Sequence, residues 1–140
     1  MVALSRQHYT ADACIIWCFD NRFWPAFLEF IKDQGYKNFD PVFCAGGDKN
    51  LGDPADPNDR DFVLQQIGLS IKLHHAKKLV LMTHEDCGAF GGSKAFGGDQ
   101  AKEFEKHEQV HSVAKEVIQE RFPDINVSGY FISFDGLRST

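Results

Sequence analysis

The chain has 140 residues, enough for one domain that buries about two-thirds of the surface its unfolded form would expose. Its 43% hydrophobic and 25% charged content excludes disorder, and a formal charge of −5 argues against a general grip on nucleic acid, which needs clustered Lys and Arg. No apolar run approaches the ~20 residues of a membrane span and the N-terminus has no signal-peptide core, so the expectation is a cytoplasmic protein with no membrane partner.

Residues 1–12 are polar, without a clear period, and read as an N-terminal arm or short helix in a single domain spanning 1–140. Ala13-Cys14-Ile15-Ile16-Trp17-Cys18 is a continuous apolar run, as a strand buried on both faces requires. Phe19-Asp20-Asn21-Arg22 breaks that run with turn-forming residues. A helix is predicted from Phe23 to Lys32, with Pro25 in its first turn and Gly35 at its C-terminal cap. It is apolar around most of its circumference, so it should be buried on two sides, within the domain or, around Phe27 and Phe30, against a partner subunit.

Phe39 to Cys44 reads as a second strand. Asp48 to Asp59, rich in Asp, Asn, Gly and Pro, reads as a long loop with no core-building pattern. A helix is predicted over 59–75, with Phe62, Val63, Gln66, Ile67, Ser70, Ile71 and His74 at helical spacing. Leu79–Met82 is the third strand and Gly91–Gly98 a glycine-rich loop. An amphipathic helix over 100–122 stops at Pro123, and a strand over 126–134 ends in an Asp135-Gly136 turn. This alternation predicts an α/β fold, a mainly parallel central sheet of about four to five strands flanked by helices. In open sheets of this type, ligands bind beyond the carboxyl ends of strands where the strand order switches.

The chemistry gathers at such ends. His84 and Cys87, spaced H-x-x-C where a buried strand gives way to a loop, offer a nitrogen and a sulfur donor, half a zinc site. Cys18 ends the first strand and converges on them if the two strands are neighbours. In a reducing compartment cysteines bind metal or catalyse more often than they pair, and Cys14 and Cys44 read as plain strand cysteines.

The paired signatures C-x-D-x-R, at Cys18-Phe19-Asp20-Asn21-Arg22, and H-x-x-C-G, at His84 to Gly88, resemble the β-class carbonic anhydrases in order, in position at strand ends and in separation. The resemblance covers residues 13–92 well and the C-terminal third loosely. It implies a β-carbonic-anhydrase-like fold and zinc (Zn2+) held by Cys18, His84 and Cys87. It also implies an Asp20–Arg22 catalytic pair, hydration of carbon dioxide to bicarbonate via zinc-bound hydroxide, and a homodimer or higher homo-oligomer. The physical chemistry runs the same way: three protein ligands plus an exchangeable position is the pattern of catalytic zinc. Asp20 could aim a bound hydroxide, with Arg22 holding it off the metal by a bidentate pair. If that pair breaks, Asp20 could take the fourth position and leave a non-catalytic zinc protein. Proteins resembling the family also hydrolyse carbon disulfide or carbonyl sulfide.

The chain departs from the family pattern in its short N-terminal arm, in Phe43-Cys44 where many members carry Arg-Asn, and in having no counterpart of the plant-type glutamine. His107-Glu108-Gln109-Val110-His111 also matches the H-E-x-x-H of zinc peptidases. Ala114 and Val117 stand where a metzincin-type continuation needs glycine and histidine. Glu103, Lys106, His107, Glu108 and Lys115 therefore read as a solvated face. His74, His75 and His107 are candidate proton shuttles to buffer.

Overall fold

The computed structural model describes residues 1–140. β1 (Ala13–Trp17) is an interior strand of the sheet, and every residue in it is apolar and buried. Ala13, Ile15 and Trp17 join one core cluster, and Cys14 and Ile16 join another on the opposite face. β2 (Phe39–Phe43) pairs with one edge of β1 and β3 (Lys78–His84) with the other, both parallel. β4 (Asn126–Ser133) lies parallel to β3, and β5 (Gly136–Ser139) turns back antiparallel, giving the order β2-β1-β3-β4-β5.

The helices divide between the faces. α1 (Trp24–Asp33) brings Phe27, Phe30 and Ile31 onto Ala13, Ile15, Trp17, Val80 and Met82. On the other face, α3 (Pro57–His74) and α4 (Gln100–Arg121) bring Val63, Ile67, Ala114 and Ile118 onto Cys14, Ile16, Leu79 and Leu81. This division follows from handedness: the steps from β1 to β2 and from β2 back to β3 cross the sheet in opposite directions, so right-handed crossovers put their helices on opposite faces. Burial of each such Ile, Leu or Phe contributes about 1.5–3 kcal/mol. Trp17 stacks on Phe27 with centroids 5.7 Å apart.

Four sequence expectations need correction. Phe27 and Phe30 are 0% and 3% exposed against their own sheet, so they do not face a partner; Trp24, Leu28 and Phe43 are the exposed apolar residues nearby. The stretch after Asp48 is not wholly loop, since α2 (Lys49–Gly52) buries Leu51 completely. This short helix lies so close to α4 that a Cβ on Gly52 would stand 2.2 Å from the Val110 carbonyl oxygen. The chain after the Asp135-Gly136 turn forms a further strand, β5.

The fourth correction concerns α4. Glu108 is exposed, but Glu103, His107 and His111 are buried, so the supposed solvated face is partly core. His111 meets Thr83 Oγ1 at 3.1 Å, Asp48 Oδ1 at 3.1 Å and the Thr140 hydroxyl. His107 has no hydrogen-bond partner on either ring nitrogen and lies between Phe90 and Phe131, at centroid distances of 4.0 and 4.8 Å.

Burial, with the neighbouring His111 and His84, holds the His107 pKa down to about 3 from an ordinary 6.5. As pH falls between those values the unfolded chain takes up a proton that the folded one refuses, so stability is lost on the acid side. The slope is at most about 1.4 kcal/mol per pH unit. His107→Leu should flatten that acid limb in urea denaturation followed across pH, whereas an unchanged slope would show that His107 is not its source.

Candidate metal centre

Because β1 and β3 are parallel neighbours, their carboxyl ends meet at one sheet edge, where the strand order switches. Cys18 follows the last residue of β1 and His84 ends β3. Asp86, in the left-handed region at φ 54°, turns the chain so that Cys87 comes back beside them. One donor atom from each of Cys18, His84 and Cys87 lies within 4.8 Å of the others, and all three residues are buried. The site uses residues from two strand ends far apart in sequence.

The tautomer of His84 is set by its neighbour. Nδ1 lies 2.7 Å from the Glu85 carbonyl oxygen, which can only accept, so Nδ1 carries the proton and Nε2 the lone pair. Nε2 is buried without a hydrogen-bond partner. Leaving such an acceptor unpaired costs about 1–3 kcal/mol, and a metal ion would offset that cost. Phe23 and Trp17 fix the ring from the side, at centroid distances of 4.4 and 5.6 Å. Two thiols and an imidazole nitrogen so arranged fit a zinc-type ion by donor chemistry as well as by spacing.

The two thiols lie side by side. Cys87 lowers the Cys18 pKa against the opposing effect of burial, helped by His84 and the backbone N–H groups of Gly46 and Asp20. Cys87, beside that thiolate and buried, is pushed up. Ala89, Phe90, Phe96 and Val110 pack around the two sulfurs as an apolar wall.

Beside the cluster, Asp20 caps a short 3-10 turn over Asn21–Phe23 and accepts the Arg22 backbone N–H at 3.0 Å. The Arg22 side chain donates from Nε to both Asp20 oxygens at 3.1 Å and from Nη2 to Oδ2 at 2.7 Å. This Arg22 contact holds the Asp20 pKa down to about 2. Asp20 Oδ2 stands 3.9 Å from His84 Nε2, so the carboxylate is at the edge of the cluster.

Three acids of this region escaped sequence reading. Glu103, 1% exposed, accepts the Asp86 backbone N–H at 2.6 Å and the Ser93 hydroxyl at 2.7 Å. Glu85, 7% exposed, accepts Gln100 Nε2 at 3.1 Å and the Phe134 backbone N–H at 3.0 Å. Asp86 Oδ2 accepts Arg22 Nη1 at 2.9 Å. The available signal was the H-E-D-C run itself, two acids set between two ligand-type residues at the end of an apolar strand.

Other candidates lie elsewhere. His75 caps α3 just before β3 begins, so it is separated from His84 by the length of that strand, roughly 20 Å, and His74 pairs there with Asp40 at 2.8 Å. Neither is near enough to relay protons from the cluster, and His107 is buried and neutral. Cys14 is in the core, its pKa pushed up to about 12 by burial, and Cys44 is half-buried. His107 and His111 belong to no group of three metal-type ligands, so the H-E-x-x-H match has no site.

Fold and site together define an α/β protein with a Cys–His–Cys cluster at the switch point of a mainly parallel sheet, beside a carboxylate–guanidinium pair. The family model described as "Putative carbonic anhydrase" matches residues 9–137, and the chain belongs to that family. Curated relatives include uncharacterized proteins of Rickettsia bellii, 25% identical over 97% of this chain and 87% of the relative, and of Rickettsia conorii, 26% identical over 97% and 77%. Among solved structures, the fold is similar to that of a carbonic anhydrase from Streptococcus mutans, with TM-score 0.56 and 19% identity over 99% of this chain and 87% of that one. It is also similar to β-carbonic anhydrase isoform I of Trichomonas vaginalis, with TM-score 0.55 and 16% identity over 99% and 86%. A carbon disulfide hydrolase in its apo form matches with TM-score 0.55 and 15% identity over 93% and 79%.

Proposed function

We propose that this chain is a zinc lyase that reversibly hydrates carbon dioxide to bicarbonate, with Cys18, His84 and Cys87 as ligands and Asp20 and Arg22 as the catalytic pair. The observation that carries this reading is the convergence of two thiols on a buried imidazole nitrogen that has no other partner. Zinc in such a donor set supplies Lewis acidity that lowers the pKa of water toward about 7.

The chain's own residues supply the rest. Asp20, held ionised by Arg22, is an acceptor that can fix the direction of a proton at the cluster edge. The Arg22 cation offsets part of the negative charge that two thiolates bring. Phe90, Phe96, Ala89 and Val110 exclude water from the sulfurs and suit an uncharged, linear substrate. The same apolar wall would accept carbon disulfide or carbonyl sulfide, which is the second reading.

Stopped-flow assays of zinc-loaded protein at neutral and alkaline pH test the proposal, with both sulfur substrates run alongside. Zinc-dependent hydration is expected. No hydration at either pH with zinc fully loaded would sink the carbonic anhydrase reading, and sulfur-compound hydrolysis alone would favour the second. The same preparation is expected to sediment as a homodimer or larger, using the exposed Phe19, Trp24, Leu28 and Phe43; a monomer at micromolar concentration would count against this. A single domain over 1–140 and a cytoplasmic location belong to the same proposal; no helix is long and apolar enough to cross a membrane.

A further inference from the structure

We propose that Asp86 is a positioning residue, which clamps Arg22 against Asp20 and thereby keeps the Asp20 carboxylate off the metal-facing nitrogen of His84. The inference rests on the metal-ligand assignment above and adds a residue at a position that the H-x-x-C-G signature leaves open.

The geometry is that of one guanidinium held from two sides. Asp20 takes the Nε and Nη2 edge, at 3.1 and 2.7 Å. Asp86 takes Nη1 with its carboxylate at 2.9 Å and Nη2 with its backbone carbonyl at 3.0 Å. A planar fork bonded along both edges can neither rotate nor slide. With Asp20 alone, Arg22 would be half of a partly exposed ion pair, which holds geometry weakly.

Asp86 can act as an anchor because it is itself fixed at three points. Its Oδ1 accepts the Ser93 backbone N–H at 2.9 Å, and its own N–H donates to buried Glu103 Oε1 at 2.6 Å. Its backbone sits in the left-handed region at φ 54°, which Asp and Asn tolerate better than most residues. A continuous line of hydrogen bonds therefore runs from α4, through Glu103, Asp86 and Arg22, to Asp20. The far end of that line stands 3.9 Å from His84 Nε2, so a small inward swing of Asp20 would bring it to the metal edge. Asp86 is the group that opposes this swing, and it does so from inside the His84–Cys87 loop that carries two of the ligands.

The test uses cobalt(II)-loaded protein, whose visible spectrum reports the ligand at the fourth position, with azide titrated as the exogenous ligand. Asp86→Ala should weaken azide binding by about tenfold or more, and the crystal structure of the zinc-loaded variant should show an Asp20 oxygen on the metal. Asp86→Asn, which keeps the turn and one acceptor oxygen, should fall between Asp86→Ala and the native protein. Adding Asp20→Asn to Asp86→Ala should restore azide affinity to within about threefold of native, which mere local damage would not allow.

Azide affinity in Asp86→Ala within about twofold of native would overturn the proposal, as would an Asp20–metal bond in the native protein or failure of the double variant to recover. Native protein that takes up no cobalt would overturn both this inference and the metal assignment beneath it. Native protein that binds cobalt and azide but hydrates no carbon dioxide would sink the activity alone and leave the clamp standing.

Discussion

Cys87→Ser should empty the metal centre while leaving the fold in place. A serine hydroxyl is a harder, far less acidic donor than a thiol, and the remaining Cys18 and His84 cannot hold zinc alone against water. Changes to residues that merely support a ligand cost about 10–100-fold in metal affinity, so loss of a ligand should exceed a hundredfold. Zinc per chain, measured by plasma mass spectrometry after gel filtration, should fall to background, and hydration activity with it. Cys87 lies in the turn after β3 rather than within the sheet, so far-UV circular dichroism should be unchanged. Cys44→Ser, altering a half-buried thiol outside the cluster, should keep its zinc. Full zinc occupancy in Cys87→Ser would show that the ligand set is wrong.

Gly47→Ala should be the most damaging small substitution in the loop after β2. A Cβ there would lie 2.1 Å from the Met82 carbonyl oxygen, which belongs to β3 and cannot move without disturbing the sheet. Gly47 also sits at φ +59°, where a side chain adds roughly 1–2 kcal/mol of strain. Together these should cost about 3 kcal/mol or more, lowering the melting temperature by roughly 10 °C. The damage should reach the cluster, because the adjacent Gly46 N–H points at the Cys18 sulfur. A melting temperature within about 2 °C of native would mean that the loop relaxes freely around the new methyl group.

The sequence displayed the parallel sheet and the strand ends that carry the Cys–His–Cys cluster because both are local signals. Ala13–Trp17 and Leu79–Met82 are unbroken apolar runs, and Cys18, Asp20, Arg22, His84 and Cys87 stand at the ends of such runs in motif spacing. What stayed hidden depends on partners remote in the chain. α2 has only Leu51 to bury, so its Asp- and Gly-rich surroundings resemble loop. β5 is an exposed edge with no inward-facing alternation. Glu103 and His111 look solvent-bound on a helical wheel, yet are buried because Asp86, Ser93, Thr83 and Thr140 receive their polar atoms. Asp86 reads as an ordinary loop acid until Arg22 is placed beside it.

The pairing of β1 on both of its edges bears on how the chain must be made. β1 and β2 leave the ribosome first and can pair at once, but the other edge of β1 waits for β3, which is synthesised only after α2 and α3. Until then Cys14, Ile15 and Ile16, among the most apolar residues of the chain, present unsatisfied backbone groups along an open strand edge. The stage at which nascent protein is most prone to self-association therefore ends when β3 docks. That same event carries His84 to Cys18, so one step closes the sheet and assembles the Cys–His–Cys cluster.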